Sequence, residues 1–185
     1  MVVCTGRATK QIDTLQAGVK EYIATLRLGA TTPSFDLEHP IDHTYATCHI
    51  DHQLVETQLK KFIGDIWQTP PAFSAVKVDG KRAYDLARKG KEVELKPKLL
   101  RIDELELLDC ALAGAEKFLT IRVVCSKGTY IRALARDIGE ALGSGAHLTS
   151  LRRTRVGDFR VEDCMQLDDF EGWLAQQTIE TELPQ

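Results

Sequence analysis

The spacing of apolar residues changes several times along the chain, and each change marks an element. From Glu21 to Arg27, Tyr22, Ala24 and Leu26 alternate with Ile23, Thr25 and Arg27, which predicts a strand. Leu99 to Leu108 and Phe118 to Cys125 read as two more, the second rich in β-branched and apolar side chains (Ile121, Val123, Val124). From Thr129 to Leu142 the period lengthens. Ile131, Leu134, Ala135, Ile138 and Leu142 make one apolar stripe and Gly143 closes it, so this is the clearest helix in the chain. Shorter helices are predicted around Ala8 to Val19, from Asp51 as N-cap to Phe62, from Arg82 to Arg88 with a stop at Gly90, and from Leu167 to Gln176. Gly29 to His39 is loop-like, Pro70-Pro71 ends whatever precedes it, and Asp79-Gly80 signals a tight turn. Leu151 to Val161 reads as a basic strand or strand pair. Strands and helices are interspersed without a repeat. The fold class is therefore α/β or α+β, with a mixed sheet flanked by helices.

Length refines this picture. A chain of 185 residues predicts one domain able to bury a real core. No apolar run approaches the roughly 18 residues a membrane span needs. Five cysteines, widely spaced and without a CxxC, read as reduced thiols rather than a disulfide framework. Together these features predict a cytoplasmic protein. The net charge of −3 does not advertise a nucleic-acid binder, but the charge is unevenly spread. Lys77 to Arg101 holds nine basic and four acidic residues, and Arg152, Arg153, Arg155 and Arg160 form a second cluster. From Glu162 onward there are seven acidic residues and no lysine or arginine. Such basic surface either grips phosphates or is simply solvated, and charge alone does not decide between them.

One residue asks for an explanation. Arg132 falls in the first turn of the Thr129–Leu142 helix, where the macrodipole is positive, and Arg136 follows at i+4. Each effect costs a few tenths of a kcal/mol up to about 1. An arginine there is either a solvated side chain leaning off the helix edge or the partner of an anion.

The segment around it, Ser126-Lys127-Gly128-Thr129-Tyr130-Ile131-Arg132, resembles the S-K-G-T-Y-I-R motif of the TruB family of tRNA pseudouridine synthases. Further stretches agree in order. Gly6 to Lys10 is similar to G-x-A-T-K, Lys20-Glu21-Tyr22 to K-x-Y, and Gly29 to Asp36 to a G-x-x-T-x-T-x-D loop. Gln68 to Lys77 is similar to Q-x-P-P-x-[FY]-S-A-[LV]-K, and Gly143 to Arg153 to G-x-G-A-H-[LV] followed by L-R-R. Each motif is weak alone; six in register are specific, and they span about Val2 to Leu174.

The resemblance implies a pseudouridine synthase fold, with a mixed but mainly antiparallel sheet flanked by helices, over residues 1–177, with an RNA-gripping, thumb-like insertion at about 70–98, a flexible tail at 178–185 and no PUA domain. It implies isomerisation of uridine to pseudouridine at position 55 in the T-loop of tRNA, without metal or cofactor. The partner would be the T-arm of tRNA and the protein a monomer. Tyr22 matches an active-site tyrosine that can stack on an extruded uracil; otherwise it is a core strand aromatic. Arg132 matches the arginine that pairs with the catalytic aspartate, and Leu151 an apolar residue beneath the base. Asp36 matches a polar loop residue near the substrate. RNA contacts are expected from Lys77, Lys81, Arg82, Arg88, Lys127, Tyr130, Arg152 and Arg153.

Besides the shorter back end without a PUA-type module, the chain departs from the family at its front. No aspartate stands in the catalytic G-x-L-D-P-x-A-T-G motif, which would precede Val2, so the chain as given is expected to be inactive. Two alternatives are a non-catalytic RNA-binding or tRNA-folding protein on this scaffold, and a metal module on His43, Cys48, His49, Asp51 and His52, whose spacing fits no standard zinc pattern.

Overall fold

The computed structural model describes residues 2–78, 80–89 and 95–177. Asp79, Gly90, the tail at 178–185 and the side chain of Lys77, all named above, lie outside the described residues.

A 3-10 turn (Gly6–Gln11) runs into helix α1 (Ile12–Ala17), and the chain then enters β1 (Lys20–Leu28). A ribbon of β2 (Ala30–Thr31) and β3 (His43–Thr44) frames the following loop. Next come α2 (His52–Leu59) and β4 (Gly64–Gln68). The hairpin β5 (Lys77–Val78) and β6 (Lys81–Arg82) leads into α3 (Ala83–Ala87). Long strands β7 (Lys98–Ala111) and β8 (Lys117–Cys125) precede α4 (Ile131–Ala141). After it come β9 (Ala146–Val156), β10 (Phe159–Arg160) and α5 (Phe170–Ala175).

Six strands form one sheet in the order β10-β9-β1-β8-β7-β4. Every described pair in it is antiparallel, in keeping with the mainly antiparallel sheet that the resemblance implies. β1 is central. It pairs with β8 from Lys20↔Cys125 to Leu28↔Lys117, and with β9 from Lys20↔Val156 to Leu28↔Ala146. Two irregularities in the β9 ladder leave Thr149 and Thr154 unmatched. Their hydroxyls take local partners instead, donating to Thr25 O (3.0 Å) and Glu21 Oε1 (2.8 Å).

The period-2 pattern fixes which side of the sheet is buried. Ala24, Leu26 and Leu28 face the core with Leu119, Ile121, Val123 and Ile102, and α4 lays Ile131, Leu134, Ala135 and Ile138 across them. Each buried leucine, isoleucine or valine among them contributes about 1.5–3 kcal/mol. Val55 and Leu59 of α2 complete the core, with the Asp51 carboxylate accepting the Leu54 N–H at 2.7 Å as the expected N-cap. α4 sits very close to the start of β9: a Cβ on Gly139 would lie 2.3 Å from the backbone nitrogen of Ala146.

β4 escaped the sequence reading because its pattern is inverted. Trp67 is 71% exposed while Gln68 is buried, so Ile66 is the one apolar side chain in the inward row of this edge strand. The opposite face of the sheet carries an ion-pair network. Arg122 donates to Glu21 (2.8 Å) and Glu104 (2.7 Å) and lies 3.5 Å from Glu106.

Candidate active site

Strand register decides which side chains share a face. Tyr22 lies opposite Arg153, and Ala24 opposite Leu151, so Tyr22 and Leu151 are diagonal neighbours on the core-side face of the sheet. Arg152 lies opposite Ile23 and therefore faces the other way. The two arginines, expected to act together, are divided between the faces because adjacent strand residues alternate.

Leu151 is not core, as it is 45% exposed. Together with Leu148, Thr149, Asp36, Leu37 and Arg132 it lines an open cavity of about 440 Å³. Tyr22 is half-buried and packs against the core edge. Burial pushes its hydroxyl above the ordinary value, the nearby Cys125 adds to this, and Arg153 opposes it. The phenol therefore remains a proton donor at neutral pH.

The anion that Arg132 faces is Asp36. Arg132 Nη1 donates to Asp36 Oδ2 at 2.9 Å and to Ser34 O at 3.4 Å, while Nη2 donates to Phe73 O at 2.8 Å. Asp36 is thus an integral part of the site, held from several sides. The Ser34 hydroxyl (2.6 Å) and the Glu38 N–H (3.0 Å) both donate to Oδ1, and the Thr32 hydroxyl donates to the Asp36 carbonyl (2.7 Å). Partial burial opposes ionisation of the Asp36 carboxyl, yet these hydrogen bonds and the Arg132 charge overcome it and hold the group below its ordinary range. The repulsion expected between Arg132 and Arg136 is resolved separately on each. Arg136 lies 2.6 Å from Asp137 and donates to Thr69 O at 3.2 Å.

Two residues overlooked in the sequence help build the site. Gln68, almost fully buried, accepts the Tyr130 N–H at 2.9 Å and so ties the end of β4 to the start of α4. Its only sequence signal was its place at the head of the Gln68–Lys77 motif. Glu38 pairs with Arg88 at 3.3 Å and fastens the hairpin–α3 insertion to the loop that carries Asp36.

Between that insertion and α4 lies a second cavity of about 540 Å³, with Tyr130, Arg132, Ser74, Tyr84 and Arg88 in its wall. The Arg82 and Arg88 guanidinium groups approach the Tyr84 ring to 5.9 and 5.4 Å. Lys81 is exposed beside them. On the other side of Tyr22, Lys20, Lys127 and Arg153 converge on a third cavity of about 390 Å³ against α1. Cationic side chains thus line both the cavity beside Arg132 and the one that Arg153, opposite Tyr22, helps to form. The chemistry available is stacking on a flat ring, an apolar wall, a charged carboxylate–guanidinium pair and phosphate binding.

The five residues weighed as metal ligands have other partners or exposed positions. His49 Nε2 contacts Leu142 O (2.9 Å), Asp51 caps α2, His43 and His52 sit near Asp42 and Glu56, and Cys48 is exposed. Among the described residues, no cluster of His, Cys, Asp and Glu is arranged to hold a metal.

Residues 1–131 match the family model of the TruB family pseudouridylate synthase (N terminal domain), and residues 132–185 that of the tRNA pseudouridylate synthase B C-terminal domain. The chain is 66% identical over 182 residues to a tRNA pseudouridine synthase B of Bacteroides thetaiotaomicron, covering 98% of this chain and 76% of that protein. It is 68% identical over 180 residues to the protein of the same name from Phocaeicola vulgatus, covering 97% and 75%. Among solved structures, a chain in the crystal structure of a Cbf5-Nop10-Gar1 complex superposes with a TM-score of 0.63 at 27% identity. The match covers 90% of this chain and 39% of that one.

Proposed function

This chain belongs to the TruB family of pseudouridylate synthases, and on that basis we propose that its site binds a uridine of tRNA, in the T-loop at position 55, for isomerisation to pseudouridine. The observation that carries the reading is the convergence of the Asp36–Arg132 pair and Leu151 on one cavity, with Tyr22 on the same face of the sheet and basic side chains on either side.

A pseudouridine synthase must free the uracil from C1′ of its ribose, turn it and rejoin it through C5. The base has to leave its stack to be reached. In this site the Tyr22 ring supplies a stacking surface and Leu151 an apolar wall, both tolerant of a base that rotates. Because Tyr22 keeps its proton at neutral pH, its hydroxyl is available to donate where charge builds on the base. Arg132 stays charged throughout and keeps neighbouring carboxylates ionised. Three neutral-to-cationic surfaces are assigned to the RNA backbone: Lys81, Arg82 and Arg88 on the insertion, together with Lys77 of the same hairpin; Lys127 and Tyr130 at the entry to α4; and Arg153 beside Tyr22. Arg152, on the opposite face, is assigned to RNA only where a strand wraps the sheet edge.

None of the aspartates of the chain stands in the family's G-x-L-D-P motif. For a polypeptide of these 185 residues alone the proposal is therefore RNA binding without turnover, and the binding unit is taken as a monomer. The test is a filter-retention titration with a T-arm stem-loop, followed by analysis of the RNA for pseudouridine. Retention of the T-arm over an anticodon-arm control, with no pseudouridine formed, is the expected result. Equal retention of both RNAs would remove the T-loop assignment, and pseudouridine formation would remove the inactivity.

A further inference from the structure

We infer that Phe35 and Arg136 form a clamp that positions Asp36 against Arg132, making α4 grip the Asp36 loop at two points one helical turn apart. Phe35 is the one described non-glycine residue with a positive φ (61°). A bulky side chain in the left-handed region is unfavourable and persists only when its surroundings hold it there. Those surroundings are visible. The Arg136 guanidinium carbon sits 4.9 Å from the centroid of the Phe35 ring. That ring is held by a cation which is itself fixed on Asp137 and on Thr69 O. The Phe35 N–H donates to Thr32 O (3.0 Å), and its carbonyl accepts the Leu148 N–H (2.9 Å) from β9.

The left-handed turn at Phe35 has a local consequence. It reverses the chain between Ser34 and Asp36, so that the Ser34 hydroxyl reaches Asp36 Oδ1 while Oδ2 points at Arg132. Arg132 and Arg136 are at i and i+4, hence on one side of α4. One holds the carboxylate and the other holds the ring next to it. The two arginines, unfavourable as neighbours, become a bidentate grip on a single loop. Phe35 and Arg136 are positioning residues and touch no reacting atom. The clamp itself stands on geometry; its consequence for the reaction rests on the function proposed above.

The charged side chain against Asp36 is Arg132 from α4; Glu38 of its own loop donates its N–H to Asp36, while its carboxylate is engaged by Arg88 of the segment after α3. A loosened clamp lets the carboxylate drift from Arg132, so the test reads the carboxylate directly. The Asp36 carboxyl carbon is titrated by NMR in the 185-residue chain and in three variants. Phe35→Asn tolerates the left-handed backbone but removes the ring. Phe35→Trp keeps a ring face for the cation. Arg136→Met is combined with Asp137→Asn so that no half-buried carboxylate is left alone.

The expected result is an Asp36 midpoint raised toward the ordinary carboxylate value in Phe35→Asn and in the double variant, and unchanged in Phe35→Trp. A Phe35→Asn chain with the parent amide spectrum and the parent Asp36 midpoint would overturn the clamp. If Phe35→Asn fails to fold, the double variant decides the matter on the same criterion: a parent midpoint there overturns the clamp. T-arm retention is measured on the same samples. Shifts in Asp36 without RNA retention by the parent chain would discredit the proposed function and leave the clamp standing.

Discussion

Arg132 sits where its own helix disfavours a cation, and Asp36 removes the difficulty at 2.9 Å. The pair explains both residues, since Asp36 in its turn would be an exposed loop acid without Arg132. Replacing Asp36 with Asn should cost about 1.5–3 kcal/mol, the range for a hydrogen bond to a charged group, measured as a lower urea midpoint at pH 7. The pH dependence follows from the depressed Asp36 carboxyl. A carboxyl lowered in the folded state stabilises fully above its ordinary unfolded value, and that contribution is lost as pH falls through the lower folded value. Stability of the parent should therefore drop on acidification from neutral pH through the carboxylate range. The drop should be smaller in the Asp36→Asn variant, with Glu21 and Asp42, also depressed, contributing to what remains. An identical pH profile in parent and variant would contradict this account. Of the site residues, Tyr22, Arg132 and Leu151 were legible in the sequence through their motifs. Phe35, Glu38 and Gln68 were not, because their roles come from a backbone angle, an ion pair across 50 positions and a buried hydrogen bond.

At the level of elements, α4 is the part that both sequence and structure specify most strongly. Its apolar stripe predicted its span to within two residues at each end, and the same stripe is the face that meets the sheet. Gly139 is the exception within it. Alanine is a better helix former by about 1 kcal/mol, yet its Cβ would fall 2.3 Å from Ala146 N, a backbone atom that cannot step aside. Overpacking of this kind costs about 1–3 kcal/mol or more, so Gly139→Ala should lower the thermal midpoint despite the gain in propensity. By contrast, Asp51→Ala removes only the cap of α2 and should cost about 1 kcal/mol. If Gly139→Ala were as stable as the parent, the close approach of α4 to β9 would be wrong. β4 shows the limit of pattern reading, since an edge strand with Trp67 outside and Gln68 inside offers no alternation of the expected sign.

For the whole molecule, the distribution of charge matters more than its sum. The net charge is −3, but Lys81 and Arg82 line one cavity on the insertion, Arg88 lines a neighbouring one, and Lys20, Lys127 and Arg153 border a third. Affinity for RNA held through phosphates falls steeply with salt. Replacing Lys81, Arg82 and Arg88 together with alanine should weaken T-arm retention, and each lost phosphate contact should reduce the slope of log affinity against log salt by about 1. A triple variant with the parent slope would show that the insertion does not carry the grip.

Local spacing and contiguous motifs were enough to find the strands β1, β7 and β8, the helix α4, the capped start of α2 and the family. None of these needs knowledge of what lies across the fold. Tertiary contacts were required to make Asp36 the partner of Arg132, 96 positions away, and to put Arg153 on the face of Tyr22 while Arg152 turns away. They were also required to show that Leu151 lines a cavity instead of the core. Register between strands and the meeting of a loop with a helix end are set by packing against a common core. A one-residue shift along β9 would exchange the faces of Arg152 and Arg153 and turn Leu151 away from the cavity, so it is register, and not local spacing, that decides these placements.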